Sequence, residues 1–171
     1  MSALRSLPLI VAAVWLTGTF ATANAEDLPA PQGPVILTIE GAIEHTNVDG
    51  TARFDRKMLE GLGMVDITTG TPWFDGKMTF SGAPLAAVLE RVGVQGDMIK
   101  AVALNDYETD IPVSDAKDTG VILAMKVNGR DMTVRDKGPI FVIYPYDSED
   151  RLETQTYYSR SAWQVTRLII R

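Results

Sequence analysis

Apolar residues in this chain come in short stretches cut apart by turn-forming residues, and that spacing limits the fold more than any other feature. Branched and aromatic residues gather over 35–40, 98–104, 121–127, 140–144 and 163–170, with Gly, Pro, Asn or Asp between them. Runs of that length and β-branched content make strands, and shorter runs over 64–68 and 109–112 read the same way. Asn128-Gly129, between 121–127 and 131–134, is a hairpin signal, because a tight primed turn needs positive φ at both central residues. One segment follows a different period. Over 84–92, Leu85, Val88, Leu89 and Val92 fall at i, i+3, i+4 and i+7. With Pro84 in its first turn and Gly93 to close it, the segment predicts an amphipathic helix. Phe54-Asp55 predicts a staple and N-cap for a shorter helix that carries Met58, Leu59 and Leu62 and ends at Gly63. The stretch 69–81 keeps no period and reads as a loop holding Trp73 and Phe74. The expected fold class is α+β, predominantly β, with mixed sheets and a few short helices.

Residues 1–25 stand apart from the rest. Arg5 precedes an apolar core over 7–20, and Ala23-Asn24-Ala25 supplies an A-x-A cleavage site. The pattern is that of a signal peptide, with Glu26 as the mature N-terminus and the periplasm as the expected location. Residues 26–34 are Pro-rich and predict an extended, mobile leader. Residues 35–171 then form one ordinary domain.

The composition excludes several kinds of chemistry. The chain has no cysteine, so it has no disulfide framework, no thiolate metal ligand and no cysteine nucleophile. With 16 Lys+Arg against 22 Asp+Glu, a net charge of −6 and no basic cluster, it is a poor partner for nucleic acid or an anionic bilayer. The single histidine, His45, cannot build a His-rich metal site and reads as a loop residue. The acidic run Asp147-Ser148-Glu149-Asp150 lacks the order of a calcium loop and reads as a solvated turn. No metal is expected. There is no P-loop, no G-x-S-x-G elbow and no H-E-x-x-H.

Two aromatic clusters remain. One is Thr71-Pro72-Trp73-Phe74-Asp75-Gly76. The other joins Tyr144-Pro145-Tyr146 to Tyr157-Tyr158-Ser159-Arg160-Ser161-Ala162-Trp163. Aromatic faces stack on flat heterocycles, and a guanidinium adds donors and a second stacking plane. Tyr144, Tyr157, Tyr158, Trp163, Trp73 and Arg160 are therefore candidates for a pocket that takes a flat ligand.

The order of motifs resembles the sulfite-oxidase-like, molybdopterin-dependent oxidoreductase fold. The matching stretches are Phe80-Ser81-Gly82-Ala83-Pro84-Leu85-Ala86-Ala87-Val88-Leu89, Val127-Asn128-Gly129, Lys137-Gly138-Pro139-Ile140-Phe141-Val142-Ile143-Tyr144-Pro145, and the segment that begins at Trp163. They resemble that family's W-x-G-x-P-L-x-x-L-L, its N-G hairpin, its G-x-P-x-R-L-V-x-P and its K-W-L-x-x-I. Together they cover nearly the whole mature domain.

The resemblance implies a molybdenum-binding cysteine four residues ahead of a Trp. Counting back from Trp73 places Thr69 there. Phe141 stands where the enzymes often carry Arg. The chain thus resembles the cysteine-less periplasmic branch of the fold. That resemblance implies binding of a metal-free pterin and control of the periplasmic domain of an inner-membrane diguanylate cyclase or phosphodiesterase. The alternative it leaves open is a member of the molybdopterin-dependent oxidoreductases that binds a molybdenum cofactor without the cysteine ligand. A pterin's 2-amino-4-oxo edge offers N–H donors beside a carbonyl. A carboxylate, Asp106 or Glu108, is expected to take the donors and Arg160 the carbonyl. Trp163, Tyr158 and Trp73 are expected to stack, with Thr69 on the pocket floor.

Overall fold

The computed structural model describes residues 28–171. The predicted signal peptide over 1–25 lies outside the described residues. The backbone forms two sheets, one mixed and one antiparallel. The first is a five-stranded sheet in the order β2-β1-β10-β5-β6, built from β1 Val35–Gly41, β2 Ala52–Asp55, β5 Met98–Ala103, β6 Glu108–Pro112 and β10 Val165–Ile170. Its one parallel pairing sets β1 beside β10, with Thr38 opposite Arg167. The second sheet runs β3-β4-β7-β8, from β3 Val65–Thr71, β4 Phe74–Pro84, β7 Ile122–Val127 and β8 Arg130–Asp131. The strand β9, Phe141–Ile143, also pairs with β7. This is the α+β, mostly β architecture that the spacing of apolar runs predicts.

The helices follow from local chemistry. In α1, Arg56–Glu60, the N-cap Asp55 accepts a bond from the Met58 N–H at 2.9 Å. The helix α2, Leu85–Val92, buries Leu85, Val88, Leu89 and Val92 and is closed at Gly93. Two further short helices, α3 Val113–Asp118 and α4 Gln155–Arg160, carry no sustained apolar stripe and escape a reading based on period. The turn at Asn128-Gly129 holds both residues at positive φ, 47° and 74°, as its sequence predicts. At Gly82 a Cβ would lie 2.1 Å from the Leu123 carbonyl oxygen, so only glycine lets β4 approach β7 this closely.

Two expectations are corrected. The stretch 69–81 is not a loop: it belongs to the β3–β4 hairpin, paired from Val65 with Gly82 to Thr71 with Phe74. Much of that hairpin is exposed, and polar pairs such as Thr68 with Thr79, whose hydroxyls lie 2.8 Å apart, replace the apolar alternation that marks a half-buried strand. The Pro-rich leader is also docked where it is described. Leu28 is buried in the main core, and the N–H groups of Gln32 and Gly33 both donate to Asp55 Oδ2 at 2.8 Å. One apolar anchor and one buried carboxylate hold a segment whose composition alone predicts mobility.

The apolar interior has two parts. The larger core packs the first sheet against α2 and includes Leu37, Ile39, Phe54, Val88, Ile99 and Leu168. The smaller core holds Ile67, Phe80, Ile122, Phe141 and Ile143 on the second sheet. Trp73 packs against both. That seam places the candidate site.

Candidate functional site

Pro72 and Trp73 form the tip of the β3–β4 hairpin, between the paired residues Thr71 and Phe74. From there the Trp73 ring reaches into an aromatic cluster. Its centroid lies 5.2 Å from Phe141, 5.9 Å from Trp163, 6.0 Å from Tyr158 and 6.4 Å from Tyr146, in tilted or edge-on geometries. Such offset and edge contacts are the favoured aromatic arrangements. Trp163 is fixed by a bridge to Phe141 on β9. The Lys137 ammonium lies over the Trp163 ring, 4.5 Å from its centroid. Tyr158 sits on α4, where its ring centroid is 5.0 Å from that of Tyr146.

Trp73, Tyr158 and Trp163 together line an open cleft of about 550 Å³, within the usual size of small-molecule sites. Asn105 and Tyr107, from the β5–β6 connection, and Gln155, Ser159 and Ser161, on or just after α4, supply its polar lining. Burial pushes the Tyr158 hydroxyl above its ordinary range, and the charges of Glu153 and Asp147 add to the shift. The cleft therefore offers four aromatic rings, Trp73, Tyr107, Tyr158 and Trp163, with neutral hydrogen-bonding groups and no lining carboxylate. It suits a flat, polar-edged heterocycle.

The other candidate residues lie elsewhere. Asp106 adopts φ 60° at the β5–β6 turn and borders a separate cleft on the first sheet with Val102 and Arg167. It is a turn former, which Asp does readily because its side chain supports the left-handed conformation. Glu108 pairs with Lys100. Arg160 donates from Nη1 to both oxygens of Asp115, at 3.1 and 2.9 Å. Its guanidinium also lies over the Tyr157 ring, 5.3 Å from the centroid, so it is not aimed at the cleft. Tyr144 is fully buried and donates to Asp115 Oδ2 at 2.8 Å. Burial first, and the Asp115 charge second, push its hydroxyl far above the usual range. Tyr157 packs edge-on against Tyr144. Tyr144, Tyr157 and Arg160 thus build the wall behind the cleft, because a buried carboxylate attracts the nearest phenol and guanidinium.

Thr69 is also buried and off the cleft. Its hydroxyl donates to Asp147 Oδ1 at 3.1 Å and accepts from the Asp147 N–H at 3.2 Å. Asp147 further accepts from the Gly70 N–H at 3.1 Å and the Lys77 ammonium at 2.8 Å. The bond from Lys77 is the main reason that its carboxyl is held below the usual range. The acidic turn 147–150 is exposed, as expected, and its first residue, Asp147, also latches the Trp73 hairpin to the segment after β9.

Sequence reasoning missed Asn105, Tyr107, Ser159 and Ser161, although all four lie in stretches whose neighbours drew attention. The carboxylates Asp106 and Glu108 outranked their neighbours there because each carries two acceptor oxygens beside a turn. Gln155 carried no signal.

No curated protein is similar enough in sequence to count as a relative. Among solved structures, the crystal structure of the sulfane dehydrogenase SoxCD from Paracoccus pantotrophus superposes with a TM-score of 0.58 at 19% identity. The likeness covers 78% of this chain and 37% of that one, so the chain spans well under half of SoxCD and the likeness speaks for the fold alone. The family described as "Oxidoreductase molybdopterin binding domain" matches residues 46–147, which carry the Trp73 hairpin, the β5–β6 turn and the Asp147 latch. With more than half of its length inside that match and its strands laid out on a sulfite-oxidase-like fold, the chain belongs to the oxidoreductase molybdopterin-binding domain family.

Proposed function

We propose that this protein binds a metal-free pterin in the cleft of Trp73, Tyr158 and Trp163, and that it works as a periplasmic sensor or carrier of that ligand. The observation that carries the reading is a split in how well the site suits a molybdenum cofactor. Its pterin half fits. Four aromatic rings border one cleft, and Asn105, Gln155 and Ser159 offer neutral partners for a heterocycle's polar edge. Its metal half does not fit. The sequence has no cysteine, and the residue that the resemblance puts in its place, Thr69, commits its hydroxyl to Asp147. A threonine hydroxyl stays protonated at neutral pH and is no substitute for a thiolate as a soft ligand. Among the described residues, no three His, Cys, Asp or Glu side chains gather as a ligand set.

The edge chemistry differs from the expected carboxylate–guanidinium pair. Asn105 and Gln155 each carry an amide, with one acceptor oxygen and two donor hydrogens, and so match a 2-amino-4-oxo edge from either side. The leader over 1–25 supports export. In the signalling form of the proposal, the partner is the periplasmic domain of an inner-membrane diguanylate cyclase or phosphodiesterase. Pterin binding then changes the affinity of that partner, and the partner changes pterin affinity by the same factor.

A second reading, a molybdopterin-dependent oxidoreductase with altered metal ligation, draws support from the family. One experiment separates the two. Protein is produced in a molybdenum-replete host, exported, purified and analysed for molybdenum and for released pterin fluorescence. Pterin without molybdenum supports the proposal. About one molybdenum per chain overturns it in favour of the enzyme.

A further inference from the structure

The wall of the cleft contributed by α4 packs on the core through two half-buried rings, Tyr157 against Tyr144 and Tyr158 against Tyr146 and Trp73. The helix has six residues, none of them buried, and its N-cap Thr154 makes no side-chain cap bond. Six residues are also too few for a helix to persist on propensity alone. Yet Gln155, Tyr158 and Ser159 all present themselves to the cleft from it.

Polar tethers add to that packing at the end of the helix. At its last residue, Arg160 bonds to Asp115 of α3, at 3.1 and 2.9 Å. Asp115 is only 6% exposed and is itself held by the Tyr144 hydroxyl at 2.8 Å. One residue earlier, the Ser159 carbonyl accepts from Thr109 Oγ1 at 2.9 Å and from the Tyr107 hydroxyl at 3.3 Å. Thr109 belongs to β6 and Asp115 to α3, so two neighbouring elements grip the same end of α4 from outside the cleft.

We infer that Asp115, which does not line the cleft, is a positioning residue that sets how long the cleft keeps its ligand by fixing α4 through Arg160. The inference rests on the proposed pterin site and adds the device that preorganises it. Holding Tyr158 in place before binding removes an ordering cost that the ligand would otherwise meet. A charge-assisted pair on a rigid neighbour is stronger than a neutral hydrogen bond. Asp115→Asn removes the charge without leaving a buried carboxylate unpaired, and an amide oxygen still accepts from Tyr144.

The test uses the full exported chain and the parent pterin, 2-amino-4-oxopteridine, as the probe. Its dissociation rate is measured by stopped-flow fluorescence, beside the melting temperature and amide hydrogen exchange across α4 in the ligand-free protein. Asp115→Asn is expected to release the probe roughly 2- to 30-fold faster, the span of remote-residue couplings. Exchange over α4 should rise in the same protein. Thr109→Val, which removes the shorter of the two bonds to the Ser159 carbonyl, is expected to act in the same direction and keeps the test open if Asp115→Asn folds poorly. Unchanged release from both variants, with a lower melting temperature, would make the tethers merely structural and overturn the inference. A wild-type protein that does not bind the probe would overturn the pterin reading as well. That failure is distinct, because exchange over α4 still reports whether Asp115 holds the helix.

Discussion

Replacing Trp163 with alanine separates a stacking platform from ordinary core. The side chain is only half-buried. Its ring meets Trp73 at 5.9 Å, Phe141 at 6.0 Å and the Lys137 ammonium at 4.5 Å. Two aromatic pairs and one cation–π contact together stabilise the fold by about 1.5–4 kcal/mol. Trp163→Ala should therefore lower the melting temperature and leave a folded protein, since Phe141 and Phe80 keep the smaller core filled. By analogy with base–aromatic stacking, the loss in pterin binding is about 1–3 kcal/mol, or roughly 5- to 150-fold in affinity. Trp163→Phe keeps an aromatic face and should recover part of that loss. Thermal melts and pterin titrations on the same samples report the two effects separately. A well-folded Trp163→Ala protein with wild-type affinity would refute stacking at this residue and shift the site toward Trp73.

Two further outcomes test the scaffold. Leu89 is 3% exposed in the main core, so Leu89→Ala should destabilise by about 2–5 kcal/mol in urea unfolding; a loss under about 0.5 kcal/mol would mean that α2 contributes little to the core. Asp55 and Asp147 both have carboxyls held below the ordinary value of 3.8, Asp55 first by the Met58 N–H and Asp147 first by Lys77. A depressed folded pKa contributes stability that is complete above the unfolded value and is lost as pH falls through the folded one. The unfolding midpoint should therefore stay level near neutrality and fall below about pH 4, less steeply in Asp147→Asn; an equally steep fall in that variant would remove Asp147 from the explanation.

Strands whose apolar residues alternate or run together were legible, as were the α2 stripe, the Asp55 cap and the Asn128-Gly129 turn. Each is dictated by a few neighbouring residues. Of the β3–β4 hairpin only the start of β3 was legible, over 64–68; β4 was not, because the exposed Thr68–Thr79 pairing carries no apolar period. At the site, the sequence could show that Trp73, Tyr158 and Trp163 are large aromatics in irregular segments. Which groups surround them depends on tertiary pairing between distant segments. Arg160 looked available until the fold set Asp115, far back on α3, against it. Asp106 looked like a ligand, yet the turn it occupies turns its side chain to another cleft. Charged residues are the hardest to place from sequence, since their nearest opposite charge decides what they do.

The central claim is that the aromatic cleft binds a pterin without a metal. Isothermal titration of the mature protein with 2-amino-4-oxopteridine, in buffer treated with a chelator, tests it directly. The expected result is saturable binding with one site per chain, a negative heat-capacity change from burying the rings, and weakening in Trp73→Ala and Trp163→Ala. No heat and no saturation at millimolar pterin, or binding that appears only when molybdate is added, would contradict it.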